Sequence, residues 1–413
     1  MLRFLRSQAS FVRDNARWIG AGFLLTFCSS FGQTFFIGQV NEELRAAFGL
    51  SHGGLALLYG LATAASAATL PFLGRALDTQ ASARVAGWCV PMLALACLGM
   101  ALVAHPIMLL GVFYLLRLFG QGMMSHIALT ETGRWFAASR GRATSLVVPG
   151  FQAGEAVLPI LFTALAAGFG WRWAWALAGL SLVLLVRPAA ARLLSVPRAP
   201  QGEAARVTAA RDWTRAEVLR DPLFFVLLVG VLAPPFIGTT VFYHQDYLSA
   251  LRGYPPYAFP AAFTAMAATT VTFALVCGQL VDRFGATRLL PFFLLPLSVA
   301  SLAVARLDAV WGVFAFMVLL GVSYGFTSTL LGALWPEVYG TRFLGSVRAL
   351  VVSGMVLSTA LGPVLTGVLI DRGVDLPTQM VWLAGWALGA AGVLALTAPR
   401  LLARAVPPAA VPA

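Results

Sequence analysis

The sequence predicts an all-α integral membrane protein of twelve transmembrane helices, arranged as two parallel six-helix repeats around a central cavity. Three observations carry this: an apolar composition, twelve apolar runs of spanning length, and an internal repeat at a fixed offset. Of 413 residues, 59% are hydrophobic and only 11% charged, with a mean hydropathy of +0.83. A soluble domain carries about 25% charged residues, so water is not the solvent for most of this surface.

The elements follow in chain order. A basic, polar arm runs from Met1 to about Arg17, with no short apolar stretch and small-residue cleavage site of the kind a removed signal peptide shows. A helix crossing the ~30 Å hydrocarbon core needs about 20 mainly apolar residues. Such runs lie near 18–39, 53–73, 86–104, 107–129, 144–168 and 172–194, then near 223–246, 257–281, 289–305, 310–333, 346–370 and 379–400. Pro and Gly recur inside them, which membrane helices tolerate better than soluble ones do. Between the two sets lies a polar stretch, 195–221, with Pro197, Pro200 and a charged run from Glu203 to Arg220. It reads as a linker, partly an interfacial helix around Trp213–Leu219, joining an N-terminal half (1–194) to a C-terminal half (222–413).

All 28 basic residues are arginines, and their placement orients the chain. With the termini on one side, 22 arginines fall on that side and five on the other (Arg45, Arg172, Arg252, Arg306 and Arg372), leaving Arg117 inside a span. The positive-inside rule then places both termini in the cytoplasm, as expected for a multi-pass protein of a bacterial inner membrane. The net charge of +12 does not indicate nucleic acid, because the arginines sit between apolar segments and form no basic face interleaved with aromatics. Without lysine, Schiff-base and P-loop lysine chemistry is excluded. Cys28, Cys89, Cys97 and Cys277 lie in apolar stretches without metal-ligand spacing, and read as core residues. No zinc motif, phosphate-cradling glycine loop or nucleophile elbow is present. The sequence therefore points to neither an enzyme nor a cofactor-dependent protein, and energy would come from an ion or solute gradient.

The two halves are related. Gly74-Arg-Ala-Leu-Asp78 and Gly278-Gln-Leu-Val-Asp282 each follow the second span of their half, 204 residues apart, and Arg84 and Arg288 keep the same offset. So do Gly141, Val147, Val148, Gly150 and Pro159 with Gly345, Val351, Val352, Gly354 and Pro363. Repeats with an even number of spans lie parallel, an arrangement found in transporters whose halves rock around a site at the bilayer midplane.

With these residues in place the chain resembles the major facilitator superfamily over nearly its whole length. The Gly74–Asp78 segment with Arg84 is similar to that family's signature loop between the second and third helices. The copy at Gly278-Gln-Leu-Val-Asp282-Arg283-Phe-Gly285 matches it more completely, whereas the first copy has Thr79-Gln80-Ala81 where a basic residue and glycine are usual. Arg117-Leu-Phe-Gly-Gln121-Gly122 is similar to the arginine motif of the fourth helix, with spacing one residue loose. Gly133-Arg-Trp-Phe136, Gly141-Arg-Ala143 and Trp335-Pro-Glu337 resemble the monocarboxylate and oxalate–formate porter group. Some porters of that group carry a basic residue in the eighth helix, and here that helix has threonines and no charge. The resemblance implies that the signature loops gate one access state through Gly74, Asp78, Arg84, Gly278, Asp282, Arg283 and Arg288, and that the protein works as a monomer. Arg134, Arg142 and Arg348 fit either the same gate or plain anchoring at the membrane surface.

Arg117 is the residue most informative for function, because a charge at membrane depth is costly and faces a partner or a wet cavity. Glu155 on the next span lies at a similar depth, roughly 18 Å against 21 Å at 1.5 Å per residue. Three arrangements fit the sequence. The two form a structural ion pair; or Arg117 binds a substrate anion while Glu155 acts as a proton-sensitive switch; or they do not meet. Gln33, Gln121, His126, Gln152 and Tyr324 are polar candidates for the cavity, or else helix–helix hydrogen-bonding residues. His244 and Asp246 close the seventh span beyond Pro234-Pro235, as an outer gate or a solvated helix end.

The expected function is secondary active transport of a small organic anion, a mono- or dicarboxylate, by proton symport or anion exchange (antiport). The alternative is proton-coupled export of hydrophobic or cationic compounds, with Glu155 as the buried acid.

Overall fold

The computed structural model describes residues 2–136, 140–196, 198, 212–340 and 343–404. The described residues form helices and turns only. Compact units divide the chain at Met1–Ala204 and Ala205–Ala413.

In the first unit α1 is a broken span, Phe11–Gly32 followed by Thr34–Phe48, bent by 46°. Then come α2 (His52–Leu73), α3 (Ser82–Leu102), α4 (Pro106–Trp135), α5 (Arg142–Phe169) and α6 (Trp171–Leu194). In the second unit α7 is Pro222–Tyr243, α8 Ala258–Val281, α9 the shorter Leu295–Arg306, α10 Trp311–Tyr339, α11 Val347–Asp371 and α12 Leu376–Leu402. Each of the twelve apolar runs corresponds to one of these elements, and among the described residues ten of them are straight enough, long enough and apolar enough to cross a bilayer.

Local chemistry fixes where the helices start. Ser51, Asp221 and Asp375 cap α2, α7 and α12 by accepting from Gly54 N, Leu223 N and Thr378 N, donors that would otherwise be orphaned. Pro106 and Pro222 occupy first helical positions, where a missing N–H costs nothing. Two runs differ from expectation. The ninth, read as 289–305, is helical only from Leu295, because residues 290–294 are turns. Pro291 lacks the donor an unbroken helix would need, and Pro296 sits at the new helix start. The first is interrupted at Gln33, whose backbone is extended (φ −83°, ψ 152°).

Small residues set the helix contacts. In the first unit Gly150 and Gly154, four apart on α5, lie so close to α1 that a Cβ on either would fall within 2.1 Å of Thr26 Oγ1 or 2.0 Å of Ser30 Oγ. In the second unit Gly321 and Gly325 on α10 do the same against α8, with Met266 O at 2.7 Å and Thr270 O at 2.6 Å from the missing Cβ. Close backbone approach through small residues four apart is a standard contact in lipid, where dispersion rather than hydrophobicity drives association. Aromatic rings fill the remaining space, as where Phe36, Phe162 and Trp175 meet edge to face. All four cysteines are free and buried.

Both described ends of the 195–221 stretch are held by their own unit. Arg198 lies over the rings of Trp18 and Phe136 (4.7 and 4.2 Å) and donates to Trp135 O and Asn15 Oδ1. Trp213 donates its backbone N–H to Tyr339 O and packs under Arg404, which pairs with Asp221 at 2.5 Å. Trp135 and Tyr339 are repeat mates at the 204-residue offset. The helix expected near Trp213–Leu219 is Arg215–Arg220, opened by a capping box of Thr214 and Glu217. The charged run 203–211 lies outside the described residues.

Candidate functional site

The break in α1 organises the polar residues of the first unit. Ser29–Gly32 is a 3₁₀ turn, and the chain then restarts as helix at Thr34. Facing it, α4 is distorted as well: Leu116–Met124 forms nine residues of π-helix. Such π segments are rare in helices and gather at functional sites. The distortions fit one another, because a Cβ at Gly32 would fall 2.1 Å from Leu116 O, and one at Gly120 2.6 Å from Gly32 Cα.

Arg117 lies inside this contact and is 2% exposed. Its Nη1 donates to Gly32 O (3.3 Å) and Thr34 Oγ1 (3.4 Å), and the guanidinium lies over the Tyr59 ring at 5.4 Å. Thr34 and Tyr59 share a 2.7 Å hydrogen bond. Arg117 therefore satisfies a carbonyl that the break in α1 releases. Its Nε is buried with no acceptor, and among the described residues no carboxylate lies within 4.0 Å of it.

Glu155 does not meet Arg117 in this structure. It is partly exposed on α5, and its carboxylate has no hydrogen-bond or ion-pair partner among the described residues. Gln152, one turn away, has its Oε1 buried without a donor. Gln33 at the break and Gln121 in the π segment are partly exposed. The first unit thus gathers Arg117, Gln33 and Gln121 on the facing distortions of α1 and α4, with Gln152 and Glu155 on the helix that clamps α1 from another side.

Among the described residues the second unit has no counterpart. The mates of Arg117 and Gln121 are Gly321 and Gly325, already committed to the α8–α10 contact. Tyr324 packs its hydroxyl where a Cβ on Gly238 would be, and donates to Pro234 O at 3.4 Å. His126 packs against the signature loop: a Cβ on Gly74 would fall 2.9 Å from its Nε2. His244 is 3% exposed with Nε2 3.0 Å from Pro363 O, so it is a packed helix end.

At the signature loops, close approach requires glycine at Gly74, whereas at Gly278 the nearest atom to a Cβ would be 4.0 Å away. The Asp78 and Asp282 side chains lie outside the described residues. Arg84, Arg283 and Arg288 are exposed, Arg283 lying over Phe284. Arg134 donates to Leu77 O at 2.7 Å and pairs with Glu131, which also hydrogen-bonds Ser82. In the second unit Glu337 accepts from Ala286 N, Thr287 N and Thr287 Oγ1, capping the short helix that follows Gly285 (φ +80°). Sequence reasoning missed this carboxylate as a cap. The available signal was a helix start, Gly285-Ala-Thr, with no capping side chain of its own.

Together the apolar helices of spanning length and the repeat at a fixed offset define a membrane protein built from two related halves. The sequence profile of the Major Facilitator Superfamily matches residues 22–347 and again 238–413, and the chain belongs to that family. It is a transporter and not an enzyme. No curated protein sequence matches it. Among solved structures it is similar to a bacterial homologue of the human lysosomal transporter Spinster in an inward-facing, unoccupied conformation, at 17% identity and a TM-score of 0.71, covering 96% of this chain and 99% of that one. The occupied form of that homologue gives 18% identity and 0.73, covering 95% and 98%. The nucleoside transporter NupG gives 14% and 0.64, covering 94% and 99%.

Proposed function

We propose that this protein is a secondary transporter of a small organic anion, a mono- or dicarboxylate, moved by proton symport or anion exchange. The observation that carries the reading is Arg117, a permanent cation 2% exposed with no carboxylate within 4.0 Å among the described residues. A buried charge without a counter-charge costs several kcal/mol, and a carbonyl and a ring offset only part of that. An anion bound beside the α1 break supplies the missing charge. A guanidinium offers it a planar fork of donors and keeps its charge at any working pH. Glu155, unpartnered on the neighbouring helix, is the proton carrier. When ionised it repels an incoming carboxylate, and when protonated it admits one. Gln33, Gln121 and Gln152 supply orienting hydrogen bonds, and Tyr324 is a further polar contact. The halves, 1–194 and 222–413 joined by 195–221, alternate access between them. Gly74, Asp78, Arg84, Gly278, Asp282, Arg283 and Arg288 gate one access state. Both termini are cytoplasmic, in a bacterial inner membrane, and the protein acts as a monomer.

One observation favours the second reading. Among the described residues Glu155 has no cationic partner, so a lipophilic cation would find an acid there, and the protein would then be a proton-coupled exporter. Thermal unfolding of the detergent-purified chain against carboxylates, sugars and lipophilic cations separates the two, since a ligand of the folded state raises the melting temperature. Stabilisation by a carboxylate, lost in a folded Arg117→Gln variant, supports the anion reading. Stabilisation by lipophilic cations, or carboxylate effects unchanged in the variant, overturns it.

A further inference from the structure

The second unit contains a cavity of about 240 Å³ between α10 and α11, toward the end of α10 whose Glu337 caps the helix after the signature loop. Its walls are almost entirely apolar, from Leu331, Trp335, Val351 and Met355, with Thr327 and Ser328 at one side and Arg348 at another. Arg348 is exposed and anchors one nitrogen on Gly332 O at 2.8 Å. Its remaining N–H groups are uncommitted to any carboxylate within 4.0 Å among the described residues. A guanidinium has five donors, so most of this fork is available.

The cavity comes from the sequence of this half and not from the repeat. At the 204-residue offset, Thr327 and Ser328 correspond to Met123 and Met124, Trp335 to Glu131, Met355 to Phe151 and Arg348 to Thr144. Met123 and Met124 are fully buried. The first half therefore fills with two long side chains the place that the second half opens with two short ones, and it lacks the arginine.

We propose that this cavity is a second anion site, taking a water-soluble monocarboxylate with a compact apolar body, the carboxylate on Arg348 and the body against Trp335, Leu331 and Val351. It is independent of the Arg117 site. Charge complementarity selects an acid, and the apolar walls select one whose remainder is hydrocarbon. A volume of about 240 Å³ matches a ring or a short hydrocarbon chain.

The test is saturable binding of tritiated 4-phenylbutyrate to the full chain in detergent, in wild type and in an Arg117→Gln background. Gly332 lines the cavity with no atom within 4 Å of a Cβ, so Gly332→Leu fills it without backbone strain. The proposal expects affinity to fall about tenfold or more in Arg348→Gln, the scale of one charge-assisted pair. In the Arg117→Gln background, which removes the other proposed carboxylate site, it expects binding to persist and to be abolished by adding Gly332→Leu. If Gly332→Leu does not fold, Arg348→Gln alone decides. In that background, binding that survives both pocket variants or that 4-phenylbutanol competes equally overturns the site, as does the loss of all binding in Arg117→Gln alone. Displacement by added phosphatidylglycerol overturns it too, assigning the cavity to a lipid.

Discussion

At the scale of single residues, Gly32 and Gly389 make opposite predictions from the same chemical change. Gly32→Ala puts a methyl 2.1 Å from the Leu116 carbonyl, and overpacking of this kind costs about 1–3 kcal/mol. The variant melts lower and weakens substrate binding, because the contact it pushes apart holds Arg117. Gly389 on α12 has no atom within 4 Å of its missing Cβ, so Gly389→Ala leaves the fold intact and adds about 0.5–1 kcal/mol through reduced chain entropy. Thermal unfolding of the two variants side by side reads both; equal melting temperatures would contradict the packing of α1 on α4. Arg117 also shows where sequence reasoning stops. Counting residues along a helix gives depth at 1.5 Å each, and depth alone brought Glu155 within reach. It gives no bearing around the helix axis, and the π segment turns Arg117 toward the α1 break and Tyr59 instead.

At the scale of elements, most boundaries were legible because hydropathy, capping and proline act locally. Pro291 and Pro296 were a readable sign of the shortened α9. The break at Gln33 was not, since no proline marks it; the distortion arises from mating Gly32 with Gly120, a contact between distant segments. The anchoring of the 195–221 stretch yields an element-scale prediction. Asp221 has a side chain only 2% exposed and accepts from both Arg404 and Tyr339 Oη (2.9 Å). Arg404→Ala leaves that carboxylate short of its counter-charge. With the Arg404 side chain 30% exposed, solvent screening limits the loss to about 1–3 kcal/mol. Adding Asp221→Asn recovers part of it, and a double-mutant cycle on the melting temperature measures the coupling. Additive effects would mean the pair contributes nothing.

For the whole molecule, the family and the repeat were visible in the sequence, whereas the cavity beside Arg348 was not. It depends on Thr327 and Ser328 standing where the other half has methionines, a difference whose meaning appears only once α10 and α11 are packed. Transport in proteoliposomes tests the coupling proposed for Glu155. An imposed inward proton gradient is expected to drive carboxylate accumulation in wild type. Glu155→Gln is expected to lose that accumulation while keeping exchange of substrate across the membrane. Gradient-driven accumulation that persists in the variant would assign the proton elsewhere. Finally, with Cys28, Cys89, Cys97 and Cys277 all enclosed, the natural chain is already close to a thiol-silent background. A single introduced thiol, such as Gly332→Cys, would report its surroundings to a maleimide probe without first stripping the protein of its own sulfur.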